Sequence, residues 1–440
     1  MMYFIIFLIT MFGGLSVVFA LLFGPGLAFV IDGKMMFLKL LYSRLFNGIY
    51  SPPLLALPFF IVAGEIMNQG GITKNLVKLA QAFLGHRRGG LAQVNIASSM
   101  LFAGLSGSAV ADTSALGSML IPAMERNGYT RRFAAAVTAA SSVIGPIIPP
   151  SGLMILYAFV MNVSVAGLFA AGLVPGVAIG MGLMLLTAYL AKVRNFPVAN
   201  EPMPWSERGK ALWDGIIPMM TPVIMLGGIL AGIFTPTEAA AVGAGYALIV
   251  ALATRQMKIS DIPRVFTSAA ISSGVILMLV GAAVSFASIV SFYHTPEKMA
   301  KLVLSVSENP YAVFFMVNIL LFIVGMFLDA GPAILILGPI LGPAMVQVGI
   351  HPLHFAVVMC VNVTVGLATP PMGLVLFVAA GLSRESLEKI AIEMIPFLIV
   401  EVLVIFLISY FPILTLAIPN WLGYLDIPAA ASWILGGVGG

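Results

Sequence analysis

The segment Leu116–Leu153 recurs 221 residues later as Leu337–Leu374 in a chain of 440 residues. Leu116-Gly117, Leu120, Pro122-Ala123-Met124, Gly128, Ala135, Val137, Gly145, Pro149-Pro150 and Gly152-Leu153 all meet their own residue type at that offset, giving 14 identities in 38 ungapped positions. Half of these are Gly or Pro, which a merely apolar composition does not align. The chain is therefore built from two related halves. When both halves of a membrane protein carry apolar segments interrupted by Gly and Pro at matching positions, the helices break where the repeats meet, and secondary transporters place their sites there.

Composition puts the chain in a membrane. Hydrophobic residues make up 60%, charged residues 9% and the mean hydropathy is +1.09, whereas a soluble domain carries about 25% charge. Apolar runs long enough to cross roughly 30 Å of hydrocarbon include Tyr3–Val30, Ile216–Phe234, Ser272–Phe292 and Ile395–Ile418. No soluble domain is left over. The single cysteine, Cys360, rules out internal disulfides and cysteine metal sites. A net charge of +4 suits a polytopic protein with basic cytoplasmic loops and does not point to nucleic acid. Tyr3–Val30 lacks a charged leader region and a cleavage signature, so it is expected to be a retained helix. Residues 429–440 differ in character from what precedes them and are expected to be an appended tail.

Between the spans lie shorter basic stretches with a helical apolar period: Met35–Phe46, Ile72–Leu84, Pro204–Trp213, Ile259–Phe266, Pro296–Val306 and Arg384–Ile392. They read either as helices lying in the membrane interface or as solvated loops. Charge suggests how the repeats are oriented. In the first copy Pro122-Ala123-Met124 is followed by Glu125 and Arg126 and then Arg131 and Arg132, while the second has no Lys or Arg from Val346 to Leu353. Basic loops stay cytoplasmic, so the copies are expected to be inverted about a two-fold axis in the membrane plane.

Each copy has the same order of parts: a polar break, an apolar stretch ending in Pro-Ala-Met, a turn, then a helix interrupted at Gly and Pro-Pro. Residues 108–126 are too few for two full crossings and are expected to form a re-entrant hairpin, with a counterpart at 329–346. Pro149-Pro150 and Pro370-Pro371 lack amide hydrogens and stop the helix before them. Carbonyls freed by such breaks survive in a membrane only in a protein-lined or wet cavity. There they suit a hard cation, and facing helix N-termini suit an anion.

The polar residues at the first break are Ser106, Gly107, Ser108, Asp112, Thr113, Ser114, Ser141, Ser142 and Ser151; at the second they are Asp329, Gly331, Asn362, Thr364 and Thr369. The acids are not equivalent, because Asp112 aligns with Ala333 and Asp329 with Ser108. Asp329 reads either as a cation-linked group or as a helix cap, and Asp112 as a site group or a cap. Glu238, after Thr235-Pro236-Thr237, reads as a helix start. Glu65 and Glu401 are expected to face a scaffold or a partner. His351 and His354 could share a helix face, but no third ligand converges on them, so a loop-to-helix junction is expected rather than a metal site.

Four motifs, SGSAVADTSALG (106–117), TAASSVIGPIIPPS (138–151), GIFTPTEAAAV (232–242) and GLATPPMG (366–373), resemble the large membrane subunit of tripartite ATP-independent periplasmic (TRAP) transporters, the DctM-like family. The resemblance covers nearly all of residues 1–428. It implies an all-α polytopic protein of the bacterial inner membrane, with two inverted repeats, each holding a re-entrant hairpin and a broken helix. It further implies an elevator mechanism, in which a transport domain slides against a scaffold.

On that pattern, residues 1–88 and 201–310 are scaffold with interfacial arms. Residues 89–200 and 311–382 are the transport repeats, with helix breaks near 145–151 and 366–372, and 383–428 is a C-terminal helix. The resemblance implies at least two sodium sites: Ser106, Gly107, Ser108, Ser142, Gly145, Ile147 and Pro149 for one, and Gly325, Asp329, Gly331, Gly366, Thr369 and Met372 for the other. A substrate carboxylate is expected at Ser106 and Ser108 with Asp112 or Thr113. Implied partners are a small four-helix membrane subunit, expected on a separate chain, and a soluble periplasmic binding protein. The substrate is expected to be a small organic anion, with similarity leaning to the sialic acid branch and a C4-dicarboxylate or another sugar or keto acid as alternatives. An intramembrane Ser or Asp enzyme is the competing class, but no Ser/His pair is placed to activate a nucleophile. A channel is the third.

Overall fold

The structure, a computed structural model, describes residues 2–198, 202–307 and 309–425; the 429–440 tail lies outside them. Among the described residues the fold is helical, apart from one isolated bridge between Arg88 and Val198. The first half comprises α1 (Met2–Phe12), α2 (Val17–Ile31), α3 (Leu38–Ile49), α4 (Ala56–Gln69), α5 (Ile72–Leu84), α6 (Gly90–Ser106), α7 (Ala109–Arg126), α8 (Arg131–Ser142), α9 (Gly152–Met161) and α10 (Val165–Val193). The second comprises α11 (Trp205–Leu230), α12 (Pro236–Ala253), α13 (Ile262–Phe292), α14 (Thr295–Val306), α15 (Pro310–Phe327), α16 (Ala330–Gln347), α17 (Pro352–Gly366), α18 (Leu374–Ser383) and α19 (Leu387–Tyr410), followed by α20 (Ile413–Trp421). Seven of the described helices, α10 to α13, α15, α16 and α19, are long and apolar enough to cross a membrane.

The 221-residue offset governs the architecture well beyond the matched segment. α7 and α16 are displaced by that number at both ends. α2 overlaps α12, α5 overlaps α14, and α6 to α10 overlap α15 to α19 at the same spacing. α3 and α4, parted by Pro52-Pro53, correspond to the unbroken α13. Local sequence explains the matching starts. Ser108 accepts from the Ala111 amide at the head of α7, and Asp329 accepts from the Ala330 amide at the head of α16, each satisfying an amide with no partner inside its helix. Thr235 and Glu238 form a reciprocal capping box at the start of α12, as their spacing predicts.

Several expectations need correction. Residues 108–126 do not contain a hairpin, because α7 runs unbroken through Pro122. The turn comes earlier, at Gly107, whose φ of 58° favours glycine, so the hairpin is made of the whole of α6 and α7. Residues 329–346 are likewise one helix, α16, and the turn is at Leu328-Asp329. Tyr3–Val30 is two helices, α1 and α2, folded back at Gly13-Gly14 so that Gly24 lies against the Tyr3 carbonyl oxygen. Of the six basic stretches, those at α3, α5 and α14 are separate helices, and the others belong to α11, α13 and α19 or their approaches. Glu401, expected to face a scaffold or a partner, is fully enclosed on α19, which packs on α8, α10, α17 and α18. His351 caps α17 through the Leu353 amide, and His354 turns inward between the Thr415 hydroxyl and the Ser409 carbonyl, a junction rather than a metal pair.

The halves interlock. α7 packs on α18, and α16 packs on α9. Gly117 faces Leu382 across the first contact and Gly338 faces Met161 across the second. These pairs are equivalent at the 221 offset, so a single kind of contact occurs twice. Glu393 of α19 binds Arg132 of α8 at 3.2 Å and Arg194 of α10 at 2.5 Å, tying three helices together at one end.

Two backbones come into direct contact where α15 crosses α17. A Cβ placed on Gly366 would lie 2.5 Å from the Gly325 Cα, with no flexible side chain to give way. Gly366→Ala is expected to lower stability by about 1–3 kcal/mol, the usual cost of overpacking, read as a lower thermal midpoint in detergent. Gly245→Ala, with nothing within 4 Å of the new methyl, is the control and should leave the midpoint unchanged or slightly raised.

Candidate functional site

The first hairpin turn rests on the first helix break. α8 stops at Ser142, and non-helical chain follows until α9 begins at Gly152, where Ser151 accepts from the Met154 amide and donates to the Pro146 carbonyl. Gly107 in the turn approaches Gly152 and Ser151, with 3.3 Å from its Cβ position to the Gly152 nitrogen. Gly104, one turn back on α6, lies 3.4 Å from the Pro149 carbonyl oxygen by the same measure. Behind the turn the Thr113 hydroxyl is 2.7 Å from that of Ser142 and 2.8 Å from the Ala109 carbonyl. The Asp112 carboxylate lies against Gly145, where any side chain would collide with it.

Deeper between α6 and α8, Asn95 donates to the Thr138 hydroxyl at 2.7 Å, and the Ser99 and Ser141 hydroxyls are 2.8 Å apart.

The second junction has the same plan with different groups. α17 ends at Gly366 and α18 begins at Leu374. Gly325 of α15 fits against Gly366 and the Val363 carbonyl oxygen, 2.9 Å from its Cβ position. Thr369 donates to the Val365 carbonyl at 2.9 Å. Asp329 is exposed at the turn and caps Ala330 at 2.8 Å. Asn362 donates to the side-chain oxygen of Asn318 at 2.9 Å, and Asn318 in turn donates to Ser409. Asn362 is the 221-offset equivalent of Ser141, so each broken helix presents a polar group there to the first hairpin limb, although the partner on that limb differs, since Asn318 aligns with Ala97.

Among the residues expected at the first site, Gly107, Ser108, Ser142, Gly145 and Pro149 come together around the turn and break, with Asp112 and Thr113 wholly enclosed beside them. The side chain of Ser106 lies outside those described. Ile147 is fully buried, and its carbonyl packs against Gly172 of α10. In the second set, Gly325, Gly366 and Thr369 gather at the crossing. Gly331 has only Leu156 nearby, at 4.0 Å, and Met372 is half exposed.

Sequence reading missed Gly104, although it is the 221-offset partner of Gly325 and was recoverable by extending the comparison upstream. It also missed Asn95, Ser99 and Asn318, single polar residues within apolar helices that carry no motif. Among the described residues no three His, Cys, Asp or Glu side chains converge on one point. A cation held here must therefore be bound largely by hydroxyls and carbonyls, ligands that suit hard ions.

Residues 4–414 match the family described as "Tripartite ATP-independent periplasmic transporter, DctM component". The chain belongs to this family. It is 38% identical over 384 residues to the C4-dicarboxylate TRAP transporter large permease DctM of Pseudomonas aeruginosa, covering 86% of this chain and 89% of the relative. It is 35% identical over 419 residues to the sialic acid TRAP transporter large permease SiaM of Vibrio cholerae, covering 94% and 97%. Its fold is similar to that of the Alcanivorax borkumensis YdaH transporter, with a TM-score of 0.65, 14% identity and 89% of each chain covered.

The chain is thus a TRAP large permease subunit, a multi-pass inner-membrane transport protein and not an enzyme. The two junctions lie within the region that defines the family.

The fit between Asp112 and Gly145 predicts energetic coupling. Gly145→Ala should destabilise the protein, and adding Asp112→Ala should remove part of that loss. In a double-mutant cycle followed by thermal unfolding, the coupling should be roughly 0.5–3 kcal/mol; additive losses would show that the two residues do not touch.

Proposed function

We propose that this TRAP large permease couples inward sodium movement to uptake of a small organic anion, with sialic acid the favoured substrate. The observation that carries the reading is the pair of glycine-packed helix breaks, Gly104 and Gly107 against Pro149 to Gly152 and Gly325 against Val363 and Gly366. Each brings backbone carbonyls, hydroxyls and one carboxylate to a place where helices end. Freed carbonyls and hydroxyls favour sodium, and the amide ends of α7, α9, α16 and α18 favour an anion.

Ser106, Gly107, Ser108, Ser142, Gly145 and Pro149 serve one sodium, with Ile147 at its margin. Gly325, Asp329, Gly331, Gly366, Thr369 and Met372 serve the second. The substrate carboxylate meets Ser106 and Ser108 at the turn. Asp112 and Thr113, enclosed behind it, hold the turn and its cation rather than a second negative charge, because two carboxylates at close range repel unless a cation lies between them.

Asymmetry between the halves supports alternating access by an elevator. α5 packs on α6 and α11, whereas its counterpart α14 packs on α16, with a cavity between α14 and α1. Two chemically related halves in different surroundings are what one end of a transport cycle requires. α6 to α10 and α15 to α19 form the moving body, and α1 to α5 with α11 to α14 form the scaffold. The arginine-rich end at Arg126, Arg131 and Arg132 is cytoplasmic, and the repeats are inverted. A small four-helix membrane subunit braces the scaffold, and a soluble periplasmic binding protein delivers the substrate. A second substrate reading, a C4-dicarboxylate, is favoured by the 38% identity to a permease named for that substrate.

The test is uptake into proteoliposomes holding this chain, the small subunit and the binding protein. Uptake of labelled sialic acid should require a sodium gradient and vanish when potassium replaces sodium; unchanged uptake in potassium refutes symport. Ser106→Ala and Asp329→Ala should each cut initial uptake by roughly tenfold or more, the loss of about 1.4 kcal/mol of stabilisation, without loss of expression. Full activity in both would remove the turns from the mechanism.

A further inference from the structure

Glu401 stands near the middle of α19, eight residues from Glu393 on one side and eight from Ser409 on the other, about 12 Å along the helix axis in each direction. Ile399 and Leu403 take the outer face of the helix, so Glu401 turns inward toward α8, α10, α17 and α18. Its side chain is fully enclosed. Among the described residues no hydrogen bond reaches either carboxylate oxygen.

No charge on the helices packed against α19 answers it. Arg132 of α8 and Arg194 at the end of α10 are both taken by Glu393, and Arg131 of α8 is taken by Glu125. Lys192 and Tyr189 of α10, Tyr311 of α15 and Arg384 at the end of α18 are exposed. On α17, His354 is bonded to Thr415 and to the Ser409 carbonyl, which leaves Cys360, a buried thiol and not a base.

An ionised carboxylate with neither a hydrogen-bond donor nor a counter-charge is strongly disfavoured inside a membrane protein. The protonated acid removes the charge, and its own O–H becomes a donor. A bound cation needs several converging oxygens, and no hydroxyl is bonded to this carboxyl group. A proton needs only the group itself.

We propose that Glu401 is a proton-binding site, which holds one proton in this arrangement of helices and gives it up only if α19 parts from α8, α10 and α17. Glu401 is none of the residues assigned to sodium or to the substrate. Because Glu393 fastens α19 to α8 and α10 through Arg132 and Arg194, the helices around Glu401 travel together and the proton is carried rather than exchanged. Only this last step rests on the elevator reading.

The experiment is infrared difference spectroscopy of the full chain in lipid nanodiscs at neutral pH, wild type against Glu401→Gln. The carbonyl stretch of a protonated carboxylic acid should be present in the wild type and lost in the variant. Glu401→Asp should keep that band at a shifted frequency, which decides the assignment even where the glutamine protein does not fold. After transfer to deuterium oxide the wild-type band should shift slowly, at the same rate with and without sodium. Raising the pH from about 5 to 8 should lower the thermal midpoint of the wild type more than that of Glu401→Gln, because the unfolded chain releases the proton that the folded chain keeps. A spectrum unchanged by both substitutions, or midpoints that fall in parallel, shows an ionised group and overturns the site. Deuterium exchange complete on mixing overturns the enclosure, and exchange hastened by sodium overturns the carried proton. None of these readouts uses transport, so failure of the sodium reading leaves the proton site standing.

Discussion

The rest of the structure depends on the exchange of contacts between the repeats, α7 on α18 and α16 on α9. Neither α9 nor α18, at ten residues each, crosses a bilayer alone, since about 20 are needed. Each is held at depth by a limb from the other half. Glycine makes that possible, because Gly117 and Gly338 let Leu382 and Met161 reach the opposing helix. Membrane helices associate by close packing rather than by a hydrophobic drive, and small residues at the contact are the usual means. The two breaks can then stay open in the membrane, because protein surrounds their freed carbonyls.

The two junctions share geometry but not chemistry. The first encloses its carboxylate: Asp112 is fully buried against Gly145, within one turn of the Thr113–Ser142 hydroxyl pair. The second leaves Asp329 exposed as a helix cap. An enclosed carboxylate costs several kcal/mol in desolvation unless hydrogen bonds or a cation offset it; Asp329, at the protein surface, has the Ala330 amide as a partner. Related halves that differ here need not serve the same role.

Much of this was legible in the sequence because glycine and proline are read from local backbone rules. The 221 offset, the breaks at Pro149-Pro150 and Pro370-Pro371 and the capping box at Thr235 all follow from which residues can continue a helix, whereas Asp329 could be read either as a cap or as a cation-linked group. The hairpin limits were misplaced because a stretch too short for two crossings was read as a whole hairpin, whereas it is one limb, a single helix that tolerates Pro122 in α7 and Pro339 and Pro343 in α16. The fold of Tyr3–Val30 was hidden by continuous hydrophobicity, since only Gly13-Gly14 marks the turn and apolar composition looks the same in one long helix and two short ones. The clamps at Asn95 and Asn318 could not be read at all, because their partners are supplied by distant helices.

If α7 and α18 belong to one interlocked body that moves as a unit, tying them together must leave transport intact. The direct measurement is sodium-driven uptake by the Gly117→Cys, Leu382→Cys protein, with the single native cysteine replaced by Cys360→Ala, compared before and after oxidation to the disulfide. Equal initial rates in the bridged and reduced protein are expected. A rate that collapses on bridging and returns with reductant would contradict the account, because the two repeats would then have to slide past each other where they are held to be locked.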